Sequence, residues 1–340
     1  MNSYDRILGG LLGGAIGDAM GAATETRSRQ QIIERFGSPV TELITPPDDV
    51  FARGFEKGSV TDDFSLAYYT ALEIIYANGH ISDSVAEKAL VSWSKTPYFA
   101  LAGPTTVAAV NRILGNETES RYSFLTVDNS KGSNGSAMKI APVGLASHGD
   151  VQKAIEDAIT ICKPTHFNST SLAGGCAVAA AVSEAMHEDA TVDTVIKAGL
   201  IGARQGNEYG CSHGRQLANP SVYKRIKLAV SIAEKYNGDI ERTMDELADI
   251  IGCGLSAAEA VPVSFGLLKA CNGDPMEVIR AAVNIGNDTD TIATIAGAIA
   301  GTLIGANEEM LSYLETIDEV NGFDLRIVAS GLEMLGGQNE

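Results

Sequence analysis

Basic side chains are scarce in this chain, which has 25 lysines and arginines against 43 aspartates and glutamates and contains no basic run. Non-specific binding to nucleic acid or to an anionic membrane needs clustered basic side chains, so we expect neither partner. The five cysteines are scattered and form no C-x-x-C pair. A disulfide framework and a zinc site are therefore not expected, and a reducing, cytoplasmic location fits the composition.

Long apolar runs and several common motifs are also missing. The first apolar stretch, residues 7–23, contains Asp18 and has no basic leading segment, so it makes a poor signal peptide. The longest apolar run, residues 292–306, is short for a membrane span. The absence of Walker A, G-x-S-x-G and H-E-x-x-H motifs argues against a P-loop nucleotide enzyme, a serine hydrolase and a zinc protease.

Apolar residues recur at helical spacing through almost the whole chain, which predicts an all-α fold. Four segments are apolar on most sides and are expected to form buried helices: residues 7–23, 64–76, 172–186 and 292–306. Two of them carry glycines at helical spacing, namely Gly10, Gly14, Gly17 and Gly21 on the first and Gly297, Gly301 and Gly305 on the last. Each glycine costs a helix about 1 kcal/mol, so we expect another helix backbone to approach closely there.

The chain shows no linker and no internal repeat. We therefore expect a single domain over residues 1–335, followed by a short polar tail over residues 336–340. Strand patterns are confined to residues 40–44 and 122–127. Three long segments without helical periodicity are expected to be functional loops: residues 26–60, 116–139 and 204–220.

Two acidic clusters stand where buried helices are predicted to begin. Thr61-Asp62-Asp63 precedes residues 64–76, and Asp288-Thr289-Asp290-Thr291 precedes residues 292–306. If the clusters meet, four carboxylates converge beside three threonine hydroxyls, and charges so crowded require cations. Mg²⁺, Mn²⁺ and Ca²⁺ prefer such oxygen ligands. Helix capping explains either cluster taken alone, so the residues themselves leave both interpretations open.

Three further features can carry chemistry or be merely structural. Asp18 and Glu25 lie two helical turns apart on one face, although Glu25 can sit at an exposed helix end and Asp18 can be a buried hydrogen-bonding partner. The small residues 132–138 can present backbone N–H groups to a phosphate or form an ordinary turn. His166 precedes a predicted buried helix, and a lone histidine is more often structural.

Six short motifs follow one another over nearly the whole chain. They are Gly13-Gly14-Ala15-Ile16-Gly17-Asp18-Ala19-Met20-Gly21 followed by Glu25, Thr61-Asp62-Asp63, Asn134-Gly135-Ser136-Ala137-Met138, Thr165-His166, Gly252-Cys253-Gly254 with Ala258-Glu259-Ala260, and Gly286-Asn287-Asp288-Thr289-Asp290-Thr291. In this order they resemble the motifs of the ADP-ribosylglycohydrolase family: a G-D-A-x-G helix with an acidic residue, T-D-D, N-G-A-A-M-R, T-H, G-x-G…A-E-A and G-G-D-T-D-T. Each match alone is modest, but six in one order are specific.

The resemblance implies an orthogonal bundle of many α-helices around a central metal cleft. It implies a hydrolase that cleaves the bond at the anomeric carbon of an ADP-ribosylated protein side chain or small molecule, releasing ADP-ribose or a related ribosyl product. It also implies a binuclear site for two Mg²⁺ ions, with Mn²⁺ as a substitute. The implied ligand positions are Thr61, Asp62, Asp63, Asp288, Asp290 and Thr291.

The resemblance assigns roles to other residues as well. Glu25 is the implied catalytic carboxylate near the metals and the ribose, with Asp63 and Asp290 as alternatives. His166 is expected to line the substrate cleft. The backbone that is expected to hold the diphosphate belongs to Asn134, Gly135 and Ser136.

Three residues depart from the family pattern and are expected to influence substrate choice. Phe64 follows T-D-D where the family often has threonine, and Lys139 replaces the usual arginine after A-M. Leu101 stands where arginine-directed members have an aspartate, so we expect a ribosylated group other than arginine beside Leu101. The alternative is a catalytically silent relative with a binding or structural role, as in a lens crystallin. The intact set of ligand positions argues against that alternative.

Overall fold

The computed structural model describes residues 2–116 and 127–336, and over that range the chain is helical without a β-strand, which confirms the all-α prediction. The α-helices are α1 (Ser3–Gly21), α2 (Arg29–Phe36), α3 (Asp62–Tyr76), α4 (Asp83–Trp93), α5 (Pro104–Ile113), α6 (Ala141–Ala146), α7 (Val151–His166), α8 (Ser169–Glu184), α9 (Val192–His213), α10 (Val222–Tyr236), α11 (Ile240–Ile250), α12 (Ala257–Ala270), α13 (Pro275–Ile285), α14 (Thr289–Ile304), α15 (Glu308–Asn321) and α16 (Leu325–Gly336). Three short 3-10 helices lie between them, at Pro97–Leu101, Asn129–Lys131 and Asn134–Ser136. Within the described range no helix is both long and apolar enough to cross a lipid bilayer.

The helices predicted to be buried are α1, α3, α8 and α14, and their bounds differ from the predicted ones by a few residues. Three of them, α1, α8 and α14, are buried along almost their whole length, because small and apolar residues occupy every face. α1 packs on α14, with α13, α15 and α16 around that pair, while α8 lies against α7 and α9. α12 contacts both α8 and α14, so most of the buried side chains form one continuous core.

The backbones of α1 and α14 touch through glycines. The α1 glycines that face α14 are four residues apart, and the pairs are Gly9 with Gly301, Gly13 with Gly297, Gly17 with Ala293 and Gly21 with Asp290. A Cβ atom on any of these α1 glycines would overlap the α14 backbone. Close approach is as predicted, but Gly10 and Gly14, which were predicted for this stripe, face the side chains of Thr302 and Phe64. The pairing lays the last turn of α1 against the first turn of α14.

Two segments predicted to be loops contain helices. α2 lies within residues 26–60 and begins with a capping box, in which Ser28 Oγ accepts from Gln31 N and Gln31 Oε1 accepts from Ser28 N. α9 continues through residues 204–213, because its glycines at positions 202, 206 and 210 let it lie against the α8 backbone. Those glycines interrupt the apolar pattern from which helices are predicted.

Residues 40–44 do not form a strand. Val40 N donates to Asn284 Oδ1 at 2.8 Å, and Asn284 Nδ2 donates back to Val40 O at 2.7 Å. The Asn284 side-chain amide therefore pairs with the backbone groups of Val40 that a neighbouring strand would otherwise bind. The predicted strand 122–127 lies outside the described residues except for Val127, and the predicted tail lies outside them except for Gly336.

Replacing Gly17 by alanine tests the contact between α1 and α14. The new methyl group would overlap the Ala293 backbone, so we expect the free energy of unfolding to fall by about 2 kcal/mol. Gly14→Ala is the matched control, because it gains the same helix propensity and meets the Phe64 ring at 3.2 Å, where a side chain can shift. Urea unfolding measures both variants, and equal stability of the two would contradict the backbone contact.

Candidate active site

A cleft of about 780 Å³ opens where the first turns of α3 and α14 meet. Both acidic clusters line it, as do the predicted site residues Glu25, Leu101, Asn134, Gly135 and His166. Ser136 is the exception, since its buried hydroxyl donates to the carbonyl oxygen of Ser171 at 2.7 Å and faces the protein interior. The two clusters, far apart in sequence, are thus neighbours in the fold.

Asp18 joins α1 to the first turn of α3. Its carboxylate is fully buried, and Oδ2 accepts from the backbone N–H groups of Thr61 at 2.9 Å and Phe64 at 2.8 Å. Thr61 Oγ1 caps the same helix by accepting from Asp63 N at 3.2 Å. The helix start that carries Asp62 and Asp63 is therefore held from both sides. A buried hydrogen-bonding partner was one of the alternatives that the sequence left open for Asp18, and the helix that it holds is α3.

Asp288 is the residue that precedes α14, yet its carboxylate does not cap the helix. Its Oδ2 accepts from Asn134 Nδ2, and its own N–H donates to the carbonyl oxygen of Cys253 at 3.0 Å. Two turns therefore hold Asp288, one through its side chain and one through its backbone. Asp290 is oriented differently, because its Oδ1 accepts from Thr291 N at 3.0 Å.

Glu25 is brought to the same point by the segment that follows α1. Asn287, which has a left-handed φ of 65°, exchanges two backbone hydrogen bonds of 2.7 Å with residues 26–27. These bonds tie the exit of α1 to the entry of α14. Carboxylate oxygens of Glu25, Asp288 and Asp290 consequently lie within 4.8 Å of one another.

Burial and mutual repulsion raise the pKa of the carboxyl groups in this cluster. The pKa of Glu25 rises to about 10, first through burial and then through Asp290 and Asp288. Burial and then Asp290 raise the pKa of Asp18 to about 7, and burial raises the pKa of Asp290 to about 6. The same two causes raise the pKa well above its usual range in Asp62, Asp63 and Asp288. Near neutral pH the cluster therefore retains protons unless cations replace them.

The chemistry of the cluster fits divalent metal ions. Two of its buried carboxylate oxygens, Asp18 Oδ1 and Asp63 Oδ2, have no hydrogen-bond partner among the described residues. A buried carboxyl oxygen without a partner is destabilising, and a cation that replaces the proton satisfies it. The atoms that the two clusters offer are carboxylate and hydroxyl oxygens, which suit hard cations such as Mg²⁺ and Mn²⁺.

His166 is buried beneath a glycine-containing loop. Its Nε2 lies 2.9 Å from Ser133 Oγ, and its Nδ1 lies 2.7 Å from Thr165 Oγ1, which accepts from Lys139 Nζ at 2.9 Å. Burial, and then the charge of Lys139, lowers the pKa of His166 to about 3, so the ring is neutral. A Cβ atom on Gly135 would lie 2.8 Å from the ring, which explains the glycine at that position.

Of the three departures from the family pattern, Leu101 alone lines the cleft. Phe64 is buried and packs its ring against Gly14 of α1. Lys139 is buried behind the loop, where it contacts Thr165. Any effect of Phe64 or Lys139 on substrate choice must therefore pass through α3 or through the surroundings of His166.

The cleft is also lined by residues that were not predicted for the site, among them Phe51, Lys131, Leu255 and Glu259. Phe51 and Leu255 are 63% and 67% exposed, so they provide an apolar rim. Lys131 is the single lysine or arginine at the cleft within the described range. Glu259 had a signal in the A-E-A motif. Phe51 and Lys131 lie in the predicted functional loops 26–60 and 116–139, but the sequence did not single them out within those loops.

The fold and the oxygen-rich cleft define an all-α protein with a carboxylate site suited to hydrolysis. Residues 1–335 match the family model described as ADP-ribosylglycohydrolase, and the chain belongs to that family. It is therefore an enzyme, a glycosidase that hydrolyses ADP-ribose linkages.

Individual relatives cover different parts of the chain. It is 29% identical to the uncharacterized protein YegU of Escherichia coli (strain K12), over 99% of this chain and 98% of that one. It is 27% identical to the ADP-ribosylhydrolase ARH3 of Homo sapiens over 58% of this chain, and this match spans 57% of the human protein. The fold is also similar to that of a solved structure, an ADP-ribosylglycohydrolase-related protein complex, with a TM-score of 0.66 over 98% of this chain and 99% of that one. Because the two sequences are 21% identical, this similarity shows the fold alone.

The raised pKa values make the stability of the metal-free protein depend on pH. Asp18 and Glu25 have ordinary pKa values of 3.8 and 4.5, whereas in the folded protein these pKa values are about 7 and about 10. Between about pH 7 and 8.5 the folded state therefore binds more protons than the unfolded state. Because the folded state must retain these extra protons as the proton concentration falls, we expect the free energy of unfolding to fall with rising pH across this window.

Urea unfolding in the presence of EDTA measures this slope. Glu25→Gln should flatten it, because the amide has no proton to lose, while the exposed Glu87→Gln should leave it unchanged. Saturating Mn²⁺ should raise the stability and flatten the slope of the wild type. A metal-free stability that rises with pH across the window would contradict the crowded carboxylates.

Proposed function

We propose that this enzyme is a divalent-metal-dependent hydrolase that cleaves the glycosidic bond of an ADP-ribosylated protein side chain or small molecule, releasing ADP-ribose or a related ribosyl product. The observation that carries the proposal is the approach of Glu25, Asp288 and Asp290, whose carboxylate oxygens lie within 4.8 Å of one another in one cleft. The buried Asp63 Oδ2, which has no hydrogen-bond partner among residues 2–116 and 127–336, supports it. A silent binding or structural relative would not need this crowding of acids.

The metal ligands that we propose are Thr61, Asp62, Asp63, Asp288, Asp290 and Thr291, and they would hold two Mg²⁺ ions or Mn²⁺ in their place. When bound, such ions supply positive charge that orients ribose hydroxyls and lowers the pKa of a water molecule. The acids are suited to this task because they are already held by backbone contacts, as Asp18 holds the start of α3.

Once bound cations offset the repulsion that raises its pKa, Glu25 is the best candidate for the base that takes a proton from the attacking water. Within the described range no hydrogen bond engages its carboxylate, whereas Asp290 Oδ1 accepts from Thr291 N. Asp63 and Asp290 remain the alternatives. In the reaction the water oxygen bonds to the anomeric carbon, the bond to the leaving group breaks, and the leaving group takes up a proton.

The other side of the cleft suits an anionic substrate. Asn134 and Gly135 border it, and their loop is closed from behind by the neutral His166. Lys131 adds the one positive side chain at the cleft within the described range, which favours a diphosphate among so many carboxylates. The Leu101 side chain offers no acceptor to a guanidinium group, so we propose a leaving group other than arginine.

Release of free ADP-ribose tests this function. The protein is incubated with peptides ADP-ribosylated on serine or on arginine and with ADP-ribosylated small molecules, in Mg²⁺, in Mn²⁺ and in EDTA. We expect product from at least one substrate other than the arginine conjugate, in the presence of a divalent ion and not in EDTA. Equal product in EDTA would contradict the metal dependence, and product from the arginine conjugate alone would contradict the role of Leu101.

Asp288→Asn separates the proposed chemistry from folding. The amide is a poor metal ligand, so we expect turnover to fall by a factor of about 100 or more, while the metal-free protein loses a repulsive charge and keeps its stability. Asp274→Asn is the matched control, because Asp274 also precedes a helix, caps α13 and lies away from the cleft. Turnover assays and urea unfolding check both, and wild-type activity in Asp288→Asn would contradict the ligand assignment.

A further inference from the structure

The turn between α11 and α12 contacts two residues of the carboxylate site at once. The carbonyl oxygen of Cys253 accepts from Asp288 N at 3.0 Å, and that of Leu255 accepts from Asn134 N at 2.9 Å. Asn134 Nδ2 in turn donates to Asp288 Oδ2. The positions of Asp288 and Asn134, and the hydrogen bond between them, therefore depend on the conformation of this one turn, residues 252–255.

Glu259 holds that turn from within the first turn of α12. Its Oε2 accepts from Gly254 N at 2.9 Å. A Cβ atom on Gly252 would lie 2.9 Å from the same oxygen, and one on Gly254 would lie 2.8 Å from it. The carboxylate thus occupies the space that both glycines leave free. Gly252 also has a φ of 87°, a left-handed value that favours glycine.

A negative charge at this position needs a reason. Glu259 lines the same cleft as the two acidic clusters, so it adds one more carboxylate to an acid-rich site. A hydrogen bond from a backbone N–H to a carboxylate is, however, about twice as strong as one to a neutral acceptor. This stronger bond holds the turn in place at the point where its two carbonyl groups accept hydrogen bonds from residues of the site.

We propose that Glu259 is a positioning residue, which acts through the turn of residues 252–255 to hold Asp288 and Asn134 in the arrangement that binds divalent cations. The inference rests on the metal site of the proposed function and adds a residue outside its ligand set. Groups that orient metal ligands in this way typically change metal affinity by about 10- to 100-fold when they are removed.

Titration of the metal-free full-length protein with Mn²⁺, followed by calorimetry, tests the role of Glu259. Glu259→Ala removes the acceptor, and we expect the dissociation constant to rise by about 10-fold or more. Glu259→Gln keeps an oxygen acceptor for Gly254 N, so it should stay within about 3-fold of the wild type. Glu277→Ala is the matched control, because Glu277 is likewise the third residue of its helix, α13.

A second variant covers the case in which Glu259→Ala fails to fold. Gly254→Ala places a methyl group 2.8 Å from Glu259 Oε2 and displaces the carboxylate, so it should weaken Mn²⁺ binding in the same direction. Unchanged affinity in the folded variants, even with lower stability, would overturn the inference alone. Absence of Mn²⁺ binding by the wild type would overturn the proposed metal site and this inference with it.

Discussion

The backbone contact between α1 and α14 is the constraint on which the cleft depends. Because small residues line the contact from Gly9 to Gly21, the last turn of α1 can lie directly against Asp290. From that position Asp18 reaches the start of α3, and the segment after α1 carries Glu25 to the start of α14. A larger side chain along the contact would separate the helices and, with them, the acids that they bring together.

Because the contact between α1 and α14 brings the acids together, their carboxylates repel one another, and the fold offsets part of this repulsion. The positive ends of the α3 and α14 dipoles face the cluster, and Asp18 accepts two backbone N–H groups. Part of the repulsion is not offset, since within the part of the chain that the structure describes the buried Asp63 Oδ2 has no hydrogen-bond partner. Helix capping and metal binding, which were alternatives for each cluster, are compatible: Thr61 caps α3, while Asp288 leaves α14 uncapped and meets Asn134.

Local patterns predicted the all-α fold, the four buried helices and the position of each acidic cluster at the start of a helix. They could do so because apolar periodicity and helix starts are local properties. The same patterns missed α2, which is short and mostly polar although a local capping box starts it, and the end of α9, whose glycines interrupt the apolar pattern and pack against α8. They also assigned Gly10 and Gly14 to the wrong face. The cleft residues Phe51 and Lys131 lie in segments predicted to be functional loops, but only the tertiary structure shows which residues of those loops reach the site.

Crystals of the wild-type protein soaked in Mn²⁺ provide the most direct measurement, because anomalous scattering locates the ion independently of any assumed ligand. We predict two anomalous peaks between the carboxylates of Asp62, Asp63, Asp288 and Asp290, with Glu25 beside them and outside the direct ligands. Peaks elsewhere, or none at the cluster under saturating Mn²⁺, would contradict the metal site.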